Sequence, residues 1–184
     1  MAIETPKYNI IRKHKNIELR QYPGYIQAEV EVDGLNFRSA IEKGFEILAC
    51  YIFGNNVSRK KIDMTAPVKT SKSERIAMTS PVKVSGEGTY NVAFFMPSRY
   101  TLENLPTPNE KSIKLREIKP EKIAAIRFSG FFNQEIINKN TIILKEYLAQ
   151  ENIKTDDIFI IAGYNPPWIP GFLARNEVMV KLID

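Results

Sequence analysis

The sequence predicts an α+β fold: a mostly antiparallel sheet with two helices packed on it, made of two halves that each read ββαββ. Three observations predict it. Residues 17–34 and 113–130 align without a gap, residue 17 falling on residue 113, an offset of 96. A helical stripe follows each copy of that repeat, and extended segments return after each helix. Strands and helices do not alternate often enough for parallel βαβ units.

The first copy opens each half. Ile17, Leu19, Arg20, Ala28 and Gly34 meet Ile113, Leu115, Arg116, Ala124 and Gly130. Ala28, Val30 and Val32 alternate with Glu29 and Glu31, the period of a strand with one apolar and one polar face. Ala124, Ile126 and Phe128 alternate in the same way. Pro23-Gly24 and Pro120 interrupt the runs, so each copy reads as a β-hairpin. Asn36 is a suitable N-cap for the first helix, whose face is Phe37, Ala40, Ile41, Phe45, Leu48, Tyr51 and Ile52. Gly54 and Asn55 suit its end. Asn133 caps a second helix striped by Ile136, Ile137, Ile143, Leu144, Tyr147 and Leu148, fading near Glu151. Strands are expected over 60–70, 75–84 and 89–96, and again over 157–164 and 176–183. The proline-rich stretch 97–109 connects halves spanning about 8–97 and 110–184, and the chain reads as a single domain over 1–184.

Composition narrows the function classes. Apolar residues make up 43% and charged residues 26% of the 184, the profile of a globular chain. No apolar run is long enough to span a bilayer. The segment 1–7 has no apolar core, so no secretory leader is expected. Cys50 is the one cysteine, which excludes an internal disulfide and fits a cytoplasmic setting. The net charge of +5 is spread and interleaved with acids, with its densest cluster at Arg59-Lys60-Lys61, so no nucleic-acid partner is expected.

Catalytic chemistry finds little support. His14 is the one histidine and lies between two lysines where a first strand turns, a surface position. Cys50 falls in the apolar part of the first helix, where a thiol behaves as a hydrophobe. No multi-histidine metal site, phosphate loop or paired-carboxylate motif is present, so no enzyme activity is expected. Two other features admit two readings each. The echo Ile62-Asp63-Met64-Thr65-Ala66-Pro67-Val68-Lys69 and Ile76-Ala77-Met78-Thr79-Ser80-Pro81-Val82-Lys83 is either a pair of core strands or places Met64 or Met78 at a ligand cavity. The segment Tyr164-Asn165-Pro166-Pro167-Trp168-Ile169-Pro170-Gly171-Phe172-Leu173 is either a stiff cover for one end of the sheet or the wall of a binding groove.

Four stretches together resemble the SOUL haem-binding family: 61–68, Phe95-Met96-Pro97-Ser98, Ala162-Gly163-Tyr164-Asn165-Pro166-Pro167 and Arg175-Asn176-Glu177-Val178. The resemblance runs from about Tyr8 to the C-terminus. It implies a distorted antiparallel β-barrel with two helices and two ββαββ-like repeats. It also implies non-covalent binding of haem or a related tetrapyrrole, in a groove between the first helix and a late loop. Carried over to this chain, the apolar walls are Phe37, Ile41, Phe45 and Leu48 on the helix and Trp168, Ile169 and Phe172 on the loop. Arg38, Lys43 and Arg175 are the basic residues available to the propionates. Glu42 and Ile47 stand where members of the family carry basic residues on this helix. For the histidine that serves as iron ligand in some members, His14 is the only candidate and lies before the first helix, so the metal ligand is left open. The alternatives are a binding module or sensor for other amphipathic small molecules, or a protein-interaction module. A monomer is expected.

Overall fold

The computed structural model describes residues 4–34, 36–58, 73–78, 82–86, 88–130, 133–164 and 171–183. Within them run β1 (Asn9–His14), β2 (Ile17–Tyr22), β3 (Tyr25–Asp33), α1 (Phe37–Ile52), β4 (Asn56–Val57), β5 (Val82–Ser85) and β6 (Thr89–Phe95). The second half continues with β7 (Thr107–Pro108), β8 (Lys114–Ile118), β9 (Glu121–Phe128), α2 (Gln134–Gln150), β10 (Thr155–Gly163) and β11 (Asn176–Leu182). Both helices begin where sequence places them. The Asn36 side chain accepts the Ser39 N–H and the Asn133 side chain accepts the Ile136 N–H, each at 2.9 Å.

Nine strands form one antiparallel sheet in the order β1-β2-β9-β11-β10-β5-β6-β3-β8. Its edges, β1 and β8, do not pair with each other, so among the described residues the expected barrel is an open sheet. The segment 60–70 lies outside the described residues, and of 75–84 only the end is strand, as the start of β5.

The two hairpins expected from the repeat are not formed. β2 pairs with β9, Ile17 opposite Ile126 and Tyr22 opposite Glu121. β3 pairs with β8, Tyr25 opposite Ile118 and Ala28 opposite Leu115. Each half lends its leading strand to the other, and the two ladders correspond residue for residue at the 96 offset. Pro23-Gly24 and Pro120 therefore mark crossings between strands that do not pair with each other.

The helices lie on one face. Ala40, Gly44, Leu48, Tyr51 and Ile52 of α1 pack on Ala28, Val30, Val84, Val92 and Phe94. Ile137, Leu144, Tyr147 and Leu148 of α2 pack on Leu19, Ala124, Ile126 and Val178. Fully burying a Val, Leu, Ile or Phe side chain here contributes about 1.5–3 kcal/mol. Gly44 allows close approach: a Cβ there would stand 2.5 Å from Val92 Cγ2. The opposite, inner face is covered too. Tyr22, Ile123, Ala125, Ala162 and Met179 form a third apolar cluster there. The polar face of the repeat strands is thus partly covered: Glu31 is exposed, but Glu29 is buried.

Candidate functional site

The α1 side of the sheet brings together part of the predicted groove. Phe37, Ile41 and Phe45 are half-buried along one flank of the helix and pack on its core. Phe45 meets Phe94 edge-on at 5.3 Å between ring centroids, and Phe37 meets Tyr90 at 5.8 Å. Leu48 is fully buried beneath them and backs this surface rather than lining it. Arg38 and Lys43 are exposed, paired along the helix with Glu42 at 3.1 Å and Glu46 at 3.5 Å. Such exposed pairs hold their partners by only a few tenths of a kcal/mol. Met78 is half-buried and packs on the same core, while Met64 lies outside the described residues.

The strand that precedes the late loop ends beside a residue of this core. Gly163 at the end of β10 pairs with Val82, and Val82 packs against the α1 cluster. Trp168 and Ile169 lie outside the described residues. Beyond them Phe172 is 74% exposed on a short 3-10 turn, Gly171–Leu173. Arg175 is drawn toward the inner face: its guanidinium stands 3.9 Å from the Tyr164 ring centroid and pairs with Glu177 at 2.7 Å.

His14 is exposed on edge strand β1 and stacks on Tyr147 of α2, 5.3 Å between centroids, on the half away from α1. Cys50 is exposed, not buried in the apolar stripe as expected, because it falls on the solvent side of α1 between Leu48 and Tyr51. Among the described residues no group of three His, Cys, Asp or Glu could hold a metal ion.

The inner face carries chemistry that the sequence reading missed. Arg20, 1% exposed, binds fully buried Glu177 through both guanidinium nitrogens, at 2.6 and 3.0 Å. Burial opposes both charges, but mutual hydrogen bonding and attraction outweigh it. Arg20 is held above its ordinary pKa and Glu177 below the usual carboxylate range. Burial also pushes the Tyr22 hydroxyl up to about 12 and raises that of Tyr164. A cavity of about 570 Å³ lies near this cluster, between the segment 4–7, the β2–β3 crossing and residues 95–103. Tyr22, Tyr25, Phe95, Met96 and Tyr100 line it, and no residue of the predicted groove does.

An open antiparallel sheet with two helices on one face, built from interlocked repeats, defines an α+β fold shared by proteins of several kinds. The chain covers 96% of its own length and 98% of the other in matching the EcmrR C-terminal domain, with a TM-score of 0.65 and 10% identity. A hydrolase from Listeria innocua matches at a TM-score of 0.58 and 9% identity, covering 94% of each chain. At these identities the likeness is one of fold.

Within that fold the chain belongs to the SOUL heme-binding protein family, whose model matches residues 3–181. It is similar to human heme-binding protein 2, 28% identical over 171 residues, covering 90% of this chain and 80% of the relative. It is also similar to heme-binding protein 1 of Xenopus laevis, 26% identical over 163 residues, covering 88% and 80%. No helix among the described residues is long and apolar enough to cross a membrane.

Proposed function

We propose that this chain binds haem or a related tetrapyrrole non-covalently in a groove between α1 and the loop 164–175. Family membership supports the ligand class. The observation that carries the site is a difference between the helices. Phe37 opens α1 where Gln134 opens α2, and Phe45 of α1 falls on Thr141 of α2 at the 96 offset. Only the first helix presents two aromatic rings on its flank. A flat macrocycle needs such a wall, and its carboxylates need cations, which Arg38 and Lys43 supply within one turn. Trp168, Ile169 and Phe172 would form the facing wall, and Arg175 lies at its root. The residues fit the apolar ring and its propionates. For the iron, Met78 is a half-buried thioether packed at this core, and His14 is on the other half. Bound haem would supply redox and gas-binding chemistry, and this chain's part is to shield and orient it.

In this reading the chain is a single SOUL-like domain over 1–184, a monomer in the cytoplasm that works as a carrier without catalysis and without nucleic acid. Haemin titration tests it. A Soret shift saturating near one equivalent is expected. Phe45→Asp should weaken binding at least ten-fold, while Thr141→Asp at the matching site of α2 should leave it unchanged. A shallow, non-saturating response, or equal loss in both variants, would refute the site. A second reading, a module for other amphipathic molecules, draws on the 570 Å³ cavity, which aromatic rings line beside Glu4, Glu103 and Glu117. Thermal-shift screening separates the two, since stabilisation grows with ligand over Kd. A hit that survives Phe45→Asp favours the second.

A further inference from the structure

Alternation along β5 puts Val82 and Val84 under α1 and turns Lys83 to the inner face, at the middle of the sheet. Its ladder neighbours are Ala93 and Ala162, and their small side chains leave space beside it. A cavity of about 190 Å³ opens there, with Lys83, Tyr25, Gln27, Glu29, Asn91 and Glu121 on its polar side and Ile118, Ile123 and Ile160 on its apolar side. Lys83 is only 6% exposed. Its Nζ donates to the Tyr25 hydroxyl at 2.6 Å, and that hydroxyl donates to Glu121 Oε1 at 2.7 Å. The Phe95 and Tyr25 ring centroids stand 4.2 and 4.6 Å from Nζ.

The contrast with Arg20 is informative. A buried cation that serves only structure takes a carboxylate, as Arg20 takes Glu177. Among the described residues no carboxylate lies within ion-pair distance of Lys83 Nζ. Glu29 is engaged by Gln27 and Arg116, and Glu121 by Tyr25 and Lys181. The charged and titratable groups facing the cavity are Tyr25 and Glu29 from β3, Glu121 from β9, Asp156 from β10 and Lys181 from β11. Burial lowers the Lys83 pKa to about 8, with Glu121 and Glu29 opposing it. At neutral pH its uncharged fraction is then roughly a hundred-fold or more above that of an ordinary lysine.

We propose that Lys83 captures a short, neutral hydroxyaldehyde in this cavity as an imine. The Nζ lone pair adds to the carbonyl carbon, and the carbonyl π pair moves to oxygen, which takes a proton. The nitrogen gives up two protons in all, one to this oxygen and one to the departing hydroxyl, the C–O bond breaks and water leaves. One amine and one aldehyde become one imine and one water, with no redox change. Glu121, through the Tyr25 hydroxyl, is the group placed to take the nitrogen's proton and return it to the departing oxygen. The cavity holds a ligand of on the order of six to ten heavy atoms. Gln27, Asn91 and Ser85 can bond hydroxyl groups, while three acids against Lys181 disfavour an anionic aldehyde.

Reductive trapping tests the site on the intact chain. Glycolaldehyde at low millimolar concentration with cyanoborohydride, followed by peptide mass spectrometry, gives a labelling rate for every lysine. Lys83 should be labelled at least ten-fold faster than the median lysine at pH 7.5, with a rate that levels off above about pH 8. Glyoxylate should label it more slowly than glycolaldehyde. Glu121→Gln should slow Lys83 labelling several-fold and leave the lysines other than Lys181, its ion-pair partner, unchanged. The measurement on the unaltered protein decides the matter: if Lys83 labels no faster than exposed lysines, it is a structural amine and the proposal fails.

Discussion

At Lys83 the first half carries a buried amine where the second half, at the matching place in the ladder, carries Ile160. Lys83 pairs with Ala93 and Ile160 with Met179, and these lie opposite Glu29 and Ala125. Gln27 answers Ile123, and Ser85 answers Ala162. At these positions the second-half ladder is apolar, and Ile123 and Ile160 form the apolar wall of the cavity that Lys83 enters from the other side. The other buried charge gathers where Arg20 meets Glu177, with Glu18 and Arg175 attached. Two ladders of the same register thus give a polar wall in one case and an apolar wall in the other, and the side chains make the difference. The outer face shows the same division, with aromatic rings flanking α1 and polar residues in their place at α2.

The largest test of this contrast is Glu177→Gln. It leaves Arg20 paired with the carboxylate of Glu18, at 2.9 Å, in a site with little water. Breaking a buried pair costs about 3–5 kcal/mol, and with Glu18 still in place the lower end is expected, readable by urea unfolding. Replacing both partners, Arg20→Met with Glu177→Leu, should recover only part of that, because Arg175, Tyr164 and Glu18 then lose their bonds to the pair. The pair's stability is present above the usual carboxylate range. It is lost as pH falls through the depressed Glu177 pKa, below about 4.5. A cost for Glu177→Gln under about 1 kcal/mol would mean that water reaches the pair.

Lys83 should behave in the opposite way. Its folded pKa of about 8 lies below the ordinary 10.5. The burden of burying the ammonium is therefore in force below pH 8 and is relieved as pH rises toward 10.5. Lys83→Met should stabilise the protein at pH 7 by about 1–3 kcal/mol, and the advantage should shrink by pH 9.5. Above pH 10 the raised pKa values of Tyr22, Tyr25 and Tyr164 act in the other direction, because the unfolded chain ionises first. A loss of stability in Lys83→Met at pH 7 would show that the ring faces and Glu121 hold the ammonium better than burial opposes it.

What the sequence revealed was local. Both helices and both Asn caps were legible because the stripe and the cap bond involve residues three or four apart. The hairpin reading failed because Pro23-Gly24 breaks a strand in the same way whether the chain folds back or crosses over. Only the distant partner, β9, distinguishes the two. Glu29 and Glu31 look alike in a strand pattern, yet one is buried and the other exposed, since a second covered face leaves no trace in alternation. Phe37, Ile41 and Phe45 were legible as a flank, but Leu48 points beneath it. Arg175 was read as a cation for a ligand, and Glu177 two residues on already engages it.

Packing beneath α1 gives a smaller test. Gly44→Ala raises helix propensity by up to about 1 kcal/mol, but its Cβ would overlap Val92. Overpacking of this kind costs about 1–3 kcal/mol, so a net loss of roughly 1 kcal/mol in thermal or urea unfolding is expected. Val92→Ala made with it should relieve the clash, and the pair should be less than additive. A stabilised single variant would show that α1 lifts off the sheet freely.

The smallest effect is set by the caps, where the halves are most alike. Asn36→Ala and Asn133→Ala each remove one side-chain acceptor from one helix N-terminus, at equal distance. Each should cost about 1 kcal/mol, equal within a few tenths in urea unfolding. The symmetry should break in haemin affinity. Asn36 immediately precedes Phe37 and Arg38, so fraying there disorders the start of the proposed groove and should weaken haemin several-fold. Asn133→Ala, with the same cost in stability, should leave haemin binding as it is. Equal loss of affinity in both would mean that binding follows overall stability rather than the α1 flank.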